Sequence, residues 1–188
     1  MGSWELRVAR EEDAAEVAAI YRPYVLQTAV TFEYEPPSEA EFRERIRTAL
    51  ERYPFLVCTA DGRTAGYAYA HEQRARSAYQ WNAELSVYIG RDYIGQRLGR
   101  RLYRALEELL KRQGFQNLYG CVTLPNRGSE RLHQELGYQT VGIYAHTGYK
   151  HHQWHDTAVY WKQIGRETEP KPVIPFSQLE CTELIARL

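Results

Sequence analysis

Long apolar runs are missing from this chain of 188 residues, and so is any excess of charge. No stretch approaches the roughly 20 apolar residues that a bilayer-spanning helix needs, so no membrane partner is expected. Twenty-four basic and 24 acidic residues cancel. Bulk electrostatics therefore draw the chain neither to nucleic acid nor to an anionic lipid surface. The start, Met1-Gly2-Ser3-Trp4-Glu5, has no charged segment followed by an apolar one, so no secretory signal is expected. Leu6 stands where a myristoylation signal needs Ser or Thr.

Cysteine is also scarce. Cys58, Cys121 and Cys181 are odd in number and lack metal-type spacing. Cys58 and Cys121 sit inside apolar strand patterns and read as core thiols, which suits a reducing cytoplasm. His151 and His155 stand four apart, but helix signals are poor around them and no third ligand is evident. No metal is expected. Tyrosine, by contrast, is abundant, with 15 residues beside 4 tryptophans. Many fall on strands, as in Gly66-Tyr67-Ala68-Tyr69-Ala70, where they serve sheet packing and could also rim a polar pocket.

The length suits one domain. Trp4, Leu6 and Val8 alternate as a first strand. Glu11 to Thr28 has helical period, with Pro23 marking a kink or a break between two helices. Ser38-Glu39-Ala40-Glu41 is a capping box ahead of the helix face Phe42, Ile46, Ala49 and Leu50. Phe55 to Ala60 and Thr64 to His71 are strands joined at Asp61-Gly62. Two further strands are expected late in the chain, Tyr138 to Ala145 and Thr157 to Ile164, joined by a His-rich loop from His146 to Asp156. Beyond residue 165 the prolines indicate an extended tail that ends in a short helix and packs on the domain or on a neighbour.

The chain is organised around Glu84 to Tyr138. Leu85, Val87 and Ile89 alternate with Glu84, Ser86 and Tyr88, the pattern of a half-buried strand. A turn with Gly90, Gly95 and Gly99 follows. Leu98, Leu102, Ala105, Leu106, Leu109 and Leu110 then form one apolar helix face, closed by Gly114. Asn117 to Leu124 is another strand, and a short helix opens after Pro125-Asn126 and closes at Gly137. A strand running through glycines into a helix start is an anion cradle, because the first helical N–H groups lack internal partners. Arg97, Arg100, Arg101 and Arg104 add charge at the same end. The element order gives an α/β chain of the α+β type, with a mixed, mostly antiparallel twisted sheet flanked by helices.

These features resemble motifs A and B of the GCN5-related N-acetyltransferases (GNAT). The loop Ile94-Gly95-Gln96-Arg97-Leu98-Gly99 matches the family's Gln/Arg-x-x-Gly-x-Gly/Ala at its last glycine. It departs at Ile94 and at Arg97, where an inner glycine is usual. An Arg there costs roughly 1 kcal/mol if the position needs a positive φ, and nothing if it is helical. The flanks resemble the phosphinothricin and methionine sulfone/sulfoximine branch: Thr31-Phe32-Glu33, Tyr53-Pro54-Phe55, Arg74-Ala75-Arg76-Ser77-Ala78-Tyr79, Glu84-Leu85-Ser86-Val87-Tyr88 and Leu132-His133-Gln134-Glu135-Leu136-Gly137-Tyr138. The resemblance covers about residues 5 to 165.

It implies the GNAT fold over residues 1–165, acetyl-CoA as co-substrate and a homodimer. It also implies direct acetyl transfer to the α-amino group of a small acidic amino-acid analogue. By resemblance Glu84 is the general base and His133 the thiolate acid. Val87, Tyr88 and Ile89 hold pantetheine through the backbone, and Gly95, Gln96, Arg97, Leu98, Gly99 and Arg100 hold the pyrophosphate. Asn126 bonds the pantetheine arm, and Ser129 caps the helix behind it. Arg74, Arg76 and Tyr79 would take the substrate's acidic groups, with Phe32 and Glu33 as the opposite wall. Taken without the resemblance, Glu84 is an ordinary strand residue and His133 a packing one. The alternatives that remain are a different acceptor amine, such as a protein N-terminus or a polyamine, and a non-catalytic acyl-CoA-binding module.

Overall fold

The computed structural model describes residues 4–181 and residue 185. Its seven strands are β1 (Trp4–Val8), β2 (Phe55–Ala60), β3 (Arg63–Glu72), β4 (Asn82–Ile89), β5 (Asn117–Thr123), β6 (Gln139–Lys150) and β7 (Gln153–Gln163). They form one sheet in the order β1-β2-β3-β4-β5-β7-β6. Every neighbouring pair is antiparallel except β4 with β5. Helices α1 (Ala14–Gln27), α2 (Glu39–Arg52), α3 (Leu98–Gln113) and α4 (Arg127–Glu135) complete the expected mixed fold.

Local chemistry accounts for most boundaries. Asp61 and Gly62 both take positive φ, 49° and 78°, as a two-residue hairpin turn between right-twisted strands requires. At the start of α2, Ser38 Oγ accepts from the Glu41 N–H at 3.2 Å, and the Glu41 carboxylate accepts from the Ser38 N–H at 2.6 Å. Gly114 ends α3 in the left-handed region, φ 98°.

Apolar residues cover both faces of the sheet. Leu98, Leu102, Leu106, Leu109 and Leu110 of α3 pack with Leu85, Leu118 and Phe115 on one face. Val17, Tyr21, Phe42 and Ile46 of α1 and α2 pack with Phe55 and Tyr67 on the other. Each such side chain contributes roughly 1.5–3 kcal/mol. The parity of β4 follows from this division. Ala83 and Leu85 face α3, while Tyr88 packs against Tyr21 and Tyr67.

Three expectations are corrected. Of the kink or break expected at Pro23, the break does not occur, since α1 runs through it as one helix. Proline leaves the carbonyl four residues back, that of Ala19, without an N–H, and Ala19 is exposed to water. The segment from His146 to Asp156 is not a loop. Strands β6 and β7 continue through it, pairing Gly148 with His155 and Lys150 with Gln153. Their turn is His151-His152, both at positive φ (51° and 64°). A hairpin closed by two histidines lacks the Asn-Gly signal that marks such turns. Cys121 is exposed rather than core, because Leu118, Gly120 and Val122 occupy the buried face of β5 and Cys121 alternates away from them.

The tail packs back on its own domain. Ser177 Oγ donates to the Glu51 carbonyl, Gln113 Nε2 to the Ile174 carbonyl and Trp81 Nε1 to the Lys171 carbonyl. Phe176 is buried. The expected terminal helix falls largely on residues 182–184 and 186–188, outside the described residues.

Candidate active site

Strands β4 and β5 share only three rungs, ending at Glu84 opposite Tyr119. Beyond that rung they diverge and open a gap. The Gly90 N–H donates to the Ala65 carbonyl at 2.8 Å, so even-numbered residues of β4 turn their backbone groups to β3. Those of Leu85, Val87 and Ile89 turn to the gap. Two carbonyls on that edge are taken: Tyr103 Oη donates to Leu85 at 3.1 Å, and Tyr24 Oη donates to Ile89 at 2.7 Å. Val87 can still offer an amide and a carbonyl there, and Ile89 an amide. Tyr88 is not turned to the gap. Its backbone faces Tyr67 of β3, and its ring lies 4.8 Å from that of Tyr21.

The start of α3 stands at the open end of this gap. A Cβ placed on Gly99 would lie 3.9 Å from Val87 and 3.6 Å from Leu132. Arg97 precedes the helix in the left-handed region, φ 62° and ψ 16°, and Gly95 has φ 85°. The inner position of the loop therefore does need a positive φ, and Arg97 carries the strain of roughly 1 kcal/mol. No side chain caps α3. The first-turn N–H groups of Leu98, Gly99 and Arg100 are thus available to an anion such as a phosphate. The Leu98 side chain is core, so only its amide belongs to the site. Gln96 Nε2 is used within the turn, donating to the Asp92 carbonyl, and the Arg100 guanidinium is 3.8 Å from Glu135.

Helix α4 flanks the other side of the gap. Asn126, not Ser129, is its cap: Asn126 Oδ1 accepts from the Ser129 N–H at 3.2 Å. Asn outranks a Ser three residues later because only the residue at the helix boundary can turn its oxygen onto the first free N–H groups. His133 is enclosed behind β5. Its Nδ1 donates to the Ser129 carbonyl at 2.8 Å, its Nε2 lies 3.3 Å from Tyr103 Oη, and its ring stacks on Tyr160 at 4.6 Å. Gly120 is required beneath it, since a Cβ there would meet the imidazole. Burial pushes the His133 pKa down, partly opposed by its bond to Ser129.

On the opposite face, Glu84 lies beside Tyr119 of β5, with Cys121 on the same face two residues further along. Glu84 is 20% exposed, and its Oε1 is 4.0 Å from His71 Nε2 on β3. The Cys121 residue is exposed at the sheet surface, but its thiol is partly enclosed beside Glu84, and this desolvation with the Glu84 charge pushes it up to about 12. Glu33 is not free to meet a ligand. Arg45 grips it with two bonds, 2.8 and 3.1 Å, and Tyr21 Oη donates to it at 3.1 Å. Phe32 stands over Gly148 of β6, where any Cβ would strike the ring. Lys150 is buried and donates to the Thr31 carbonyl at 2.7 Å, and Tyr34 Oη donates to the Tyr149 carbonyl. Burial lowers the Lys150 pKa, with Glu33 opposing. The loop carrying Phe32 is thus tied to the β6–β7 arm, a link between residues more than 100 apart that sequence spacing does not announce.

Arg74 lies over the Tyr79 ring at 5.2 Å, with Nη1 3.4 Å from Tyr79 Oη. Both line a cavity of about 300 Å³ with Asn82, Tyr119 and Tyr144. Arg76 is exposed and is not among its walls. A second cavity, about 590 Å³, runs beneath α2 between Phe42, Phe55 and Tyr69 and ends at His71 and Glu72. Glu84 stands between the two, paired with His71 on one side and with Tyr119 on the other. His71 gave no signal in the sequence, because a strand histidine becomes notable only once its partner strand is known. Among the described residues no cluster of three His, Cys, Asp or Glu could hold a metal ion.

Comparison with known proteins points the same way. The model of the acetyltransferase (GNAT) domain family matches residues 6–159. The phosphinothricin N-acetyltransferase of Streptomyces viridochromogenes is 36% identical over 93% of this chain and 96% of its own length. The L-methionine sulfoximine/L-methionine sulfone acetyltransferase of Pseudomonas aeruginosa is 31% identical over 82% of this chain and 91% of its own. The crystal structure of a GNAT superfamily phosphinothricin acetyltransferase from Sinorhizobium meliloti, in complex with AcCoA, superposes with a TM-score of 0.87. It is 33% identical and covers 94% of this chain and 97% of that one.

Proposed function

Because the chain belongs to the GNAT acetyltransferase family and is an acetyl-CoA-dependent N-acetyltransferase of the phosphinothricin/methionine sulfoximine branch, we propose that its acceptor is a small anionic α-amino acid with Glu84 as base. Phosphinothricin, methionine sulfone and methionine sulfoximine are the first acceptors to test. The observation that carries the reading is the position of Glu84. Its carboxylate stands at the last rung before the β4–β5 gap and beside a cavity lined by a guanidinium.

Acetyl-CoA supplies the activated acyl thioester. The residues present fit it: an uncapped helix start for phosphates, open amides at Val87 and Ile89 for the pantetheine arm, and Asn126 at the rim. The Val87 amide, unpaired on the open edge of β4, would also polarise the acyl carbonyl of the bound thioester. Glu84 removes a proton from the acceptor's ammonium group, which is needed because an α-amino group is largely protonated at neutral pH. Arg74, steadied on Tyr79, takes the acceptor's carboxylate. Glu33 is a structural pin for the early loop, because Arg45 already neutralises it. His133 is a packing residue rather than the thiolate acid, because it is enclosed and its Nδ1 proton is committed to Ser129.

We also propose a homodimer in the cytoplasm. Val141, Ile143 and Tyr144 leave an exposed apolar row on the sheet's edge strand β6, a surface suited to a second copy.

A free-thiol assay of CoA release tests the function, using these three acceptors with glutamate and spermidine, wild type beside Glu84→Gln. Turnover of an anionic acceptor that collapses in Glu84→Gln supports acceptor class and base together. Turnover of spermidine alone overturns the acceptor class.

A further inference from the structure

We propose that His71 is a proton relay for Glu84, carrying the proton taken from the acceptor out to solvent. The proposal rests on Glu84 as base and extends that reading to a residue on the neighbouring strand.

His71 and Glu84 are directly opposite in the antiparallel ladder of β3 and β4, so their side chains rise from the same face of the sheet. His71 Nδ1 lies 3.1 Å from the Glu72 carbonyl. A carbonyl can only accept, so Nδ1 carries the proton and Nε2 presents a lone pair. That lone pair faces the Glu84 carboxylate across 4.0 Å. Two acceptors facing each other at this distance call for a donor between them: a water, the acceptor's ammonium group, or a proton held by the imidazole. The burial of the two side chains also differs in the useful direction. Glu84 is 20% exposed, and His71 is 40% exposed at the mouth of the cavity beneath α2.

The proton balance closes over one turnover: of the two protons the ammonium group loses, one leaves through Glu84, and the other, shed as the C–N bond forms and the C–S bond breaks, goes to the departing CoA thiolate. An N–H bond of the acceptor's ammonium group breaks and an O–H bond forms on Glu84, leaving a neutral amine. The Glu84 proton passes to His71 Nε2, restoring the carboxylate. The imidazolium then releases its proton to bulk water through the open side of the cavity. Imidazole suits this role because its proton affinity lies nearest to neutral pH among side chains. Several charged groups share that cavity with His71: Glu44, Glu51, Arg45 and Arg52 of α2, and Glu72 of β3. Arg45 is engaged by Glu33, and Arg52 lies over the Tyr53 ring. Glu44 and Glu51 both pair with Arg47, which leaves Glu72, beside His71, to stabilise a transient imidazolium.

The test compares wild type, Glu84→Gln, His71→Gln and His71→Ala at saturating acetyl-CoA and acceptor. Glutamine keeps a hydrogen-bonding side chain but cannot take up and release a proton. In both His71 variants kcat should fall about tenfold, less than the roughly 10²–10⁴-fold expected for the base itself. The acceptor KM should hardly move. Added imidazole should restore kcat in His71→Ala. A kcat in His71→Gln equal to wild type, or no response of His71→Ala to imidazole, overturns the relay while leaving Glu84 as base. Full activity in Glu84→Gln instead overturns the base assignment, and the relay with it.

Discussion

Glu84 and Tyr119 are the last pair held by the parallel ladder between β4 and β5. One residue further along, the sheet has opened, so the candidate base stands at the mouth of the cofactor gap without lining its walls. Glu84→Gln should therefore leave acetyl-CoA affinity within about twofold by calorimetry while kcat falls by about 10²–10⁴-fold. Loss of acetyl-CoA binding in this variant would place Glu84 inside the cofactor site and refute the assignment.

Arg97 holds a left-handed backbone that glycine adopts without cost. Arg97→Gly should raise the unfolding free energy by about 1 kcal/mol in urea titrations, whereas Arg97→Ala should not. If the Arg97 side chain also reaches a phosphate, Arg97→Gly and Arg97→Ala will weaken acetyl-CoA binding alike.

His133 is buried as a neutral ring, with its pKa pushed down by desolvation. A base whose folded pKa lies below its unfolded one gives stability that is complete above the unfolded value, about 6.5. That stability is lost as pH falls through the folded pKa, because the unfolded chain binds the proton more readily. Wild type should thus lose stability between about pH 6.5 and 5 more steeply than His133→Phe. Parallel slopes in urea melts at the two pH values would count against a neutral, buried His133.

Phe32 occupies the space that a side chain at position 148 would need. Gly148→Ala should push Phe32 and its loop off the β6–β7 arm. The acceptor KM should rise about tenfold while the acetyl-CoA Kd stays constant, a contrast read by paired kinetics and calorimetry. An unchanged acceptor KM would mean that Phe32 forms no wall of the acceptor cleft.

Ile143 is more than half exposed on the edge strand. Ile143→Asp should shift sedimentation from dimer to monomer if β6 carries the homodimer contact. A wild-type chain that sediments as a monomer at micromolar concentration would rule out the dimer.

The legible parts of this fold are those with local causes. The apolar face of α3, the capping box at Ser38 and Glu41 and the Asp61-Gly62 turn each depend on residues a few positions apart. Seven strands and the mixed sheet followed from their order. The His151-His152 turn and Cys121 were misread because strand pairing and sheet parity decided them, whereas at Pro23 only the break was excluded, by the water-exposed carbonyl of Ala19. The site divides in the same way. Glu84, Asn126, Arg74 and the α3 turn were visible as motif residues. His71, Lys150 and the occupied state of Glu33 were not.

By itself the sequence determined which elements form, which face of each is apolar, and that a glycine-bearing turn feeds a helix start. Those are matters of period, propensity and nearest neighbours along the chain. Tertiary structure alone decided that Arg97 is strained, that His133 is enclosed, that the loop of Phe32 is tied to Lys150, and that His71 faces Glu84. The reason is that each depends on strand register and on packing between segments tens of residues apart, which no local pattern encodes.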